Sequence, residues 1–388
     1  MKHAVRLAVL AALLLMLAAC SAADDAVTGN GGTDVNEQNG GSEKGGGGEG
    51  ADGAGTGPDG AESTEGAFYE VLATNLRSPW SIAFDGEVFY ISERDGAIVR
   101  VAGGKIEREE VKLAKPVHQE GESGFLGLEL ASDFRDSGRA YAYHTYNENG
   151  RLLNRVVVLE RKDGVWTEKE ALLEGIPGAV LHDGGRLKLG PDGYLYITTG
   201  DATEEELAQN TDSLAGKILR MTQDGDVPGD NPFTGSYVYT YGHRNPQGIG
   251  WDTKGAMFSM EHGPSSSPRG YDELNRIRPG LNYGWPDVFG DETKEGTEPP
   301  VYHTGDTALA PSGMAIDEEG NIIAAGLAGS RLIKLSPNGV VLDTLLENEG
   351  RLRDVFIYKG SLYVITNNTD GRGEPGDADD RLLKLTVK

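Results

Sequence analysis

One pattern recurs six times along this chain: an apolar stretch, a turn carrying Asp or Gly, an alternating strand often containing Tyr, a variable insert and a closing strand. The copies open on Trp80-Ser81-Ile82-Ala83-Phe84, Gly124-Phe125-Leu126-Gly127-Leu128, Gly185-Arg186-Leu187-Lys188-Leu189, Gly248-Ile249-Gly250-Trp251, Ser312-Gly313-Met314-Ala315-Ile316 and Asp354-Val355-Phe356-Ile357. The third is the most regular, with Pro191-Asp192-Gly193 as its turn, then Tyr194-Leu195-Tyr196-Ile197, and Ile218-Leu219-Arg220-Met221 to close. Helical periodicity is absent, so the chain is expected to be all-β. Short strands repeated in this way hide their edges when they are arranged radially, and the fold expected is a six-bladed β-propeller with four-stranded antiparallel blades. Tyr69-Glu70-Val71-Leu72 would complete the last blade and close the ring. A sandwich or a solenoid would use the same strands. In a propeller the long inserts gather at one mouth of a central channel, where a ligand would sit.

The repeats occupy residues 67–388, and what precedes them has a different composition. Lys2, His3 and Arg6 lead into an apolar run from Leu7 to Met16 that ends in Leu17-Ala18-Ala19-Cys20. The run is too short to cross a bilayer and ends in small residues before a cysteine, so residues 1–20 read as a lipoprotein signal peptide lipidated at Cys20. Cys20 is the chain's single cysteine, which excludes a disulfide framework. Residues 21–66 are Gly-rich and acidic with almost nothing apolar, and read as a disordered tether. The expected location is therefore extracytoplasmic, anchored to the cell membrane. A net charge of −25 argues against nucleic acid as a partner, because phosphate recognition needs clustered Lys and Arg.

Four inserts carry chemistry-bearing side chains, each with a plainer reading beside it. His182, followed by Gly184-Gly185, sits on a tight turn open to a ligand, although a lone histidine is often structural. In Gly242-His243-Arg244-Asn245-Pro246-Gln247-Gly248, Arg244 can neutralise an anion and Asn245 can supply a neutral hydrogen bond, or the segment is a polar turn. Glu261-His262-Gly263-Pro264, with Asp272-Glu273 and Asn282-Tyr283-Gly284-Trp285-Pro286, offers carbonyl oxygens beside carboxylates, which suits calcium or merely a solvated acidic turn. Arg351-Leu352-Arg353 places two guanidiniums on one side of an extended segment, for an anion or for surface acids such as Asp354 and Asp343.

Taken in order, these inserts with Ser78-Pro79-Trp80, Ser92-Glu93-Arg94, Gly121-Glu122-Ser123-Gly124-Phe125-Leu126-Gly127 and Pro311-Ser312-Gly313 resemble the glucose/sorbosone dehydrogenase family of soluble quinoproteins, from about Phe68 onward. The resemblance implies an oxidoreductase that converts aldose sugars to lactones at the first carbon, with pyrroloquinoline quinone (PQQ) and Ca2+ as cofactors and an external electron acceptor. It implies that His182 is the general base, aided by Glu122 beside it and by Arg244, which stabilises charge on the reduced cofactor. Arg244, Asn245, Arg351 and Arg353 would bind PQQ. The carbonyls of Gly263 and Pro264 would hold the catalytic calcium, and Glu273 with the Tyr283 carbonyl a second, structural one.

Two positions depart from the family pattern. Leu181 stands where some members carry an acid before the histidine, so an orienting carboxylate is expected from Glu122 or Asp183. Gly326-Leu327-Ala328-Gly329-Ser330 lacks a cofactor-binding lysine, for which Arg331 would have to compensate. Two other functions remain compatible with the fold: a metal-dependent lactonase, and a surface binding propeller without catalysis.

Overall fold

The computed structural model describes residues 69–266 and 269–386; the expected signal peptide, lipidation site and tether lie outside these residues. Among the described residues the strands form four four-stranded sheets and one eight-stranded sheet. Each four-stranded sheet is antiparallel throughout, as in the run Leu187–Leu189, Leu195–Thr199, Lys217–Met221 and Val238–Tyr241. The eight-stranded sheet consists of two antiparallel halves. The first runs from Pro79–Phe84 to Lys105–Lys112 and the second from Phe125–Leu130 to Val165–Pro177. A parallel pairing of Glu110, Val111 and Lys112 with Val165, Trp166 and Thr167 joins them. The sequence pattern gave no sign of this junction, because it depends on where two outer strands meet rather than on either strand's own periodicity.

The N-terminal strand Tyr69–Ala73 pairs antiparallel with Leu382–Thr386, so the two ends of the described chain share one sheet, as expected. The first strand of each antiparallel unit touches the first strand of the next. Ser81 Oγ donates to the Leu128 carbonyl at 3.3 Å, and Arg186 Nε to that of Gln247 at 2.8 Å. Gly127 abuts the Gly185 carbonyl, and a Cβ on Gly248 would lie 2.6 Å from the Ser312 carbonyl. Gly313 packs against Asp354, whose carboxylate accepts the Ile82 N–H at 2.8 Å and so returns the circuit to the first unit.

Six apolar clusters fill the spaces between consecutive units. One joins Tyr141 and Val156 to Leu195 and Leu219, and another joins Ile82 and Ile91 to Ile365 and Leu382. The inner strands, such as Phe89–Glu93 and Leu195–Thr199, are therefore buried on both faces and largely apolar, whereas outer strands such as Lys105–Lys112 and Val341–Glu347 are mostly exposed. The only regular helical turns among the described residues are Phe134–Ser137 and the 3-10 turn Glu205–Ala208, both inside connections.

Candidate functional site

His182 precedes the strand Leu187–Leu189 and takes a left-handed backbone conformation with φ of 64°, uncommon for a residue with a Cβ. Gly184, also left-handed at φ 64°, makes this turn possible, because a Cβ there would sit 2.7 Å from the Thr198 carbonyl. The imidazole Nδ1 lies 2.8 Å from Asp201 Oδ1. An ionised carboxylate only accepts, so in the neutral imidazole Nδ1 carries the proton and Nε2 keeps its lone pair. Asp201 is itself fixed: Oδ1 accepts the Thr203 N–H at 2.8 Å and Oδ2 accepts Trp285 Nε1–H at 2.9 Å. Nε2 has no hydrogen-bond partner among the described residues, and His182 lines a cavity of about 330 Å³ together with Asp201, Glu205, Arg244, Pro264 and Trp285.

The carboxylate that orients His182 is thus Asp201, rather than Glu122 or Asp183. Asp183 points away: its Oδ1 accepts from Asn154 at 2.8 Å and from the Ala179 N–H at 3.2 Å, and burial pushes its pKa up to about 7. Glu122 acts on the backbone, its Oε2 accepting the His182 N–H at 3.2 Å and Asn245 Nδ2–H at 3.3 Å. Burial opposes its ionisation, yet His262, Arg372 and His182 together hold it down at about 2. Asn245 completes the support, its Oδ1 accepting the Gly184 N–H at 3.0 Å.

Across the cavity, Arg244 is 6% exposed, its guanidinium 5.3 Å from the centre of the Trp285 ring. Nη2 donates to Ser265 Oγ at 3.0 Å, whereas Nε and Nη1 are buried without a partner among the described residues. Burial lowers its pKa, against the pull of Asp201 and Glu122. Arg353 is also buried; Nη1 donates to Gln247 Oε1 at 3.0 Å, Nε has no partner, and burial pushes the group down to about 9. Arg351 lies 3.0 Å from Asp370, and Arg353 lies 3.9 Å from the same carboxylate, so the two guanidiniums do share a side. Their acid is neither Asp354, which pairs with Arg186 at 2.9 Å, nor the exposed Asp343. Neither Arg351 nor Arg353 lines the His182 cavity, and nor does Arg331.

The expected metal ligands divide between two places. Pro264 reaches the cavity, while its carbonyl accepts the Gly270 N–H at 3.1 Å; the Gly263 N–H is held by Asp272 Oδ1 at 3.0 Å. Glu273 is buried elsewhere, accepting from the Gly290 N–H at 2.8 Å and from Asn275 Nδ2 at 3.2 Å. Burial and neighbouring Glu261 push it up to about 8, and Asn275 Oδ1 beside it is buried and unpartnered among the described residues. Tyr283 stacks on His243 at 4.8 Å. No group of three or more His, Cys, Asp or Glu side chains is arranged around a common point among the described residues. A larger cavity, about 500 Å³, lies between the first two units beside Tyr90, Arg135 and Arg161 and holds none of the expected residues.

The sequence matches the Glucose / Sorbosone dehydrogenase family over residues 76–383. The chain belongs to that family. Among its relatives, the aldose sugar dehydrogenase YliI of Escherichia coli is 32% identical over 340 residues, covering 78% of this chain and 90% of the relative. Quinoprotein glucose dehydrogenase B of Acinetobacter calcoaceticus is 31% identical over 295 residues, 66% of this chain and 60% of its own length. The PQQ-bound structure of the aldose sugar dehydrogenase from Streptomyces coelicolor superposes with a TM-score of 0.76 at 38% identity, over 82% of this chain and 97% of that one. Within this family chain, sequence reasoning missed Asp201 and Arg372 and assigned no role to Trp285. Asp201 had one local signal, a carboxylate just beyond the buried strand Leu195–Thr199.

Proposed function

We propose that this chain is a quinoprotein sugar dehydrogenase, built as a six-bladed β-propeller, that oxidises aldoses at the first carbon to lactones. The observation that carries the reading is the pairing of His182 with Asp201 beside a cavity whose other wall is Arg244. Family membership and the likeness to a PQQ-bound relative support it. The circuit of first strands through six antiparallel units supports the blade count.

Bound PQQ would supply the hydride acceptor, and Ca2+ would polarise its quinone as a Lewis acid. The residues fit such a ligand: Arg244 Nε and Nη1 and Arg353 Nε are buried N–H donors without partners, as a polyanionic group requires. Asn245 would bind the quinone while supporting the His182 turn, and Arg351 with Arg353 would meet carboxylates. The Gly263 and Pro264 carbonyls would hold one calcium. Glu273, the bare Asn275 Oδ1 and the Tyr283 carbonyl suit a second, because a cation there would relieve a carboxyl that burial disfavours. His182 Nε2 takes the proton of the sugar's anomeric hydroxyl, and Asp201 stabilises the imidazolium that results. Trp285 keeps Asp201 in place and covers Arg244.

A lactonase would need acids converging on one ion, whereas the acids here are committed to His182–Asp201, His243–Glu261 and Arg372–Glu122 pairs. The test is reconstitution of the purified chain with PQQ and Ca2+, followed by dye reduction with a panel of aldoses. Turnover is expected, with His182→Ala abolishing it while PQQ binding persists; no PQQ binding and no dye reduction would overturn the reading. We also propose that Cys20 anchors the protein to the outer face of the membrane, where sugars and an external electron acceptor are met. Membrane fractionation of Cys20→Ser, with the protein expected in the soluble fraction, tests this.

A further inference from the structure

We propose that Arg372 is a positioning residue for His182, acting through Glu122 from a loop that straddles the seam where the two ends of the described chain meet. The proposal rests on His182 being the base of the reaction above.

The loop between strands Ser361–Thr366 and Leu382–Thr386 belongs to the last sheet, yet its base is bonded to the segment leading into Pro79–Phe84. Leu76 N–H donates to the Asp380 carbonyl at 2.9 Å and Asp380 N–H returns to Leu76 at 3.1 Å, while Asn75 N–H reaches the Ala378 carbonyl at 3.0 Å. Ser78 N–H donates to Thr369 Oγ1 at 2.9 Å. Within the loop, Asp370 does two things. Its Oδ2 holds Arg351, and its Oδ1 accepts the Arg372 N–H at 2.9 Å, which fixes the backbone from which Arg372 projects.

Arg372 Nη1 then donates to Glu122 Oε1 at 2.8 Å, joining residues 250 apart in sequence. The other oxygen of Glu122 carries the His182 N–H and Asn245 Nδ2, and the Glu122 N–H donates to the Val180 carbonyl at 2.7 Å. Glu122 therefore clamps the 180–184 turn at both ends of its own residue. His182 needs that clamp because its left-handed backbone is a sparsely populated conformation that surrounding contacts must impose. The Arg372 side chain is 45% exposed, and such a pair adds little stability. Its effect is directional: it selects the carboxylate orientation in which Oε2 faces the turn.

Other charges reach Glu122, namely His262, His182, Arg94, Arg244 and Arg353, with Asp183 opposing them. Among the described residues, the one cation in a side-chain ion pair with Glu122 is Arg372.

The test uses the full chain, with Arg372→Gln and Arg372→Lys variants, and two readouts. Amide hydrogen exchange by mass spectrometry across residues 178–186 is measured without cofactor, and kcat and KM are measured by dye reduction after loading with PQQ and Ca2+. Arg372→Gln should speed exchange across 178–186 with the melting temperature unchanged. It should also lower kcat about tenfold with little change in KM, as a misplaced catalytic group does; Arg372→Lys should recover most of both. Unchanged exchange across 178–186, or faster exchange confined to 367–380, would overturn the proposal. A raised KM with kcat intact would also overturn it and make Arg372 a substrate contact. If the parent chain reduces no dye with any aldose, the oxidoreductase reading fails, while the exchange experiment still decides whether Arg372 holds the turn.

Discussion

Replacing Asp201 with asparagine exchanges one carboxylate oxygen for an NH2 group in a side chain 2% exposed, and both oxygens there are occupied by donors. If the new NH2 faces Trp285, two N–H groups oppose each other. If it faces His182, it donates to Nδ1, which forces the ring proton onto Nε2 and removes the lone pair that would accept the substrate's proton in the proposed reaction. Either orientation also loses the negative charge that would sit beside the imidazolium formed in the proposed reaction. A hydrogen bond to a charged group contributes about 1.5–3 kcal/mol. Two charges about 4 Å apart at an effective dielectric of about 20 interact by roughly 4 kcal/mol. Taking 2–4 kcal/mol as the loss in the transition state, kcat should fall by roughly 30-fold to 1000-fold. Steady-state dye reduction with the reconstituted enzyme measures this, with PQQ titration to show that binding survives. In a His182→Ala background Asp201→Asn should cost almost nothing further, because the two act as one unit. A variant that keeps kcat within about threefold of the parent, with the base otherwise intact, would refute the assignment of Asp201 as the residue that orients the base.

Arg244→Ala removes two buried donors left free for an anion, and should weaken PQQ binding by roughly tenfold to a hundredfold in a direct titration. Glu273, raised to about 8 from a usual carboxylate value, destabilises the metal-free fold increasingly as pH rises from about 4.5 to about 8, because the unfolded chain ionises first. Calcium should therefore raise the melting temperature more at pH 8 than at pH 5, and Glu273→Gln should abolish that difference; calcium-independent melting in the parent chain would exclude a site there. Gly313→Ala drives a Cβ into Asp354, which also holds Arg186 and the Ile82 N–H, and should destabilise the fold by about 3 kcal/mol or more in urea denaturation.

The inner strands were legible in the sequence because they are short, apolar and bounded by turn residues, a local signal that needs no partner to be read, whereas outer strands such as Lys105–Lys112 are mostly charged and carry no such signal. His182, Arg244 and Asn245 were legible for a related reason, since each lies beside glycines or prolines that mark a turn at a strand's edge. Their partners were not. Asp201 lies 19 residues from His182, and the two antiparallel strands between them, Leu187–Leu189 and Leu195–Thr199, return it to the same end of the sheet. Asp370 reaches Arg351 across a hairpin, and Arg372 reaches Glu122 across 250 residues. A side chain's type and its immediate neighbours determine what it can donate or accept, and that much is written in order along the chain. Which acceptor it meets depends on how the units pack against one another, and that packing is a property of all the units together rather than of any one repeat.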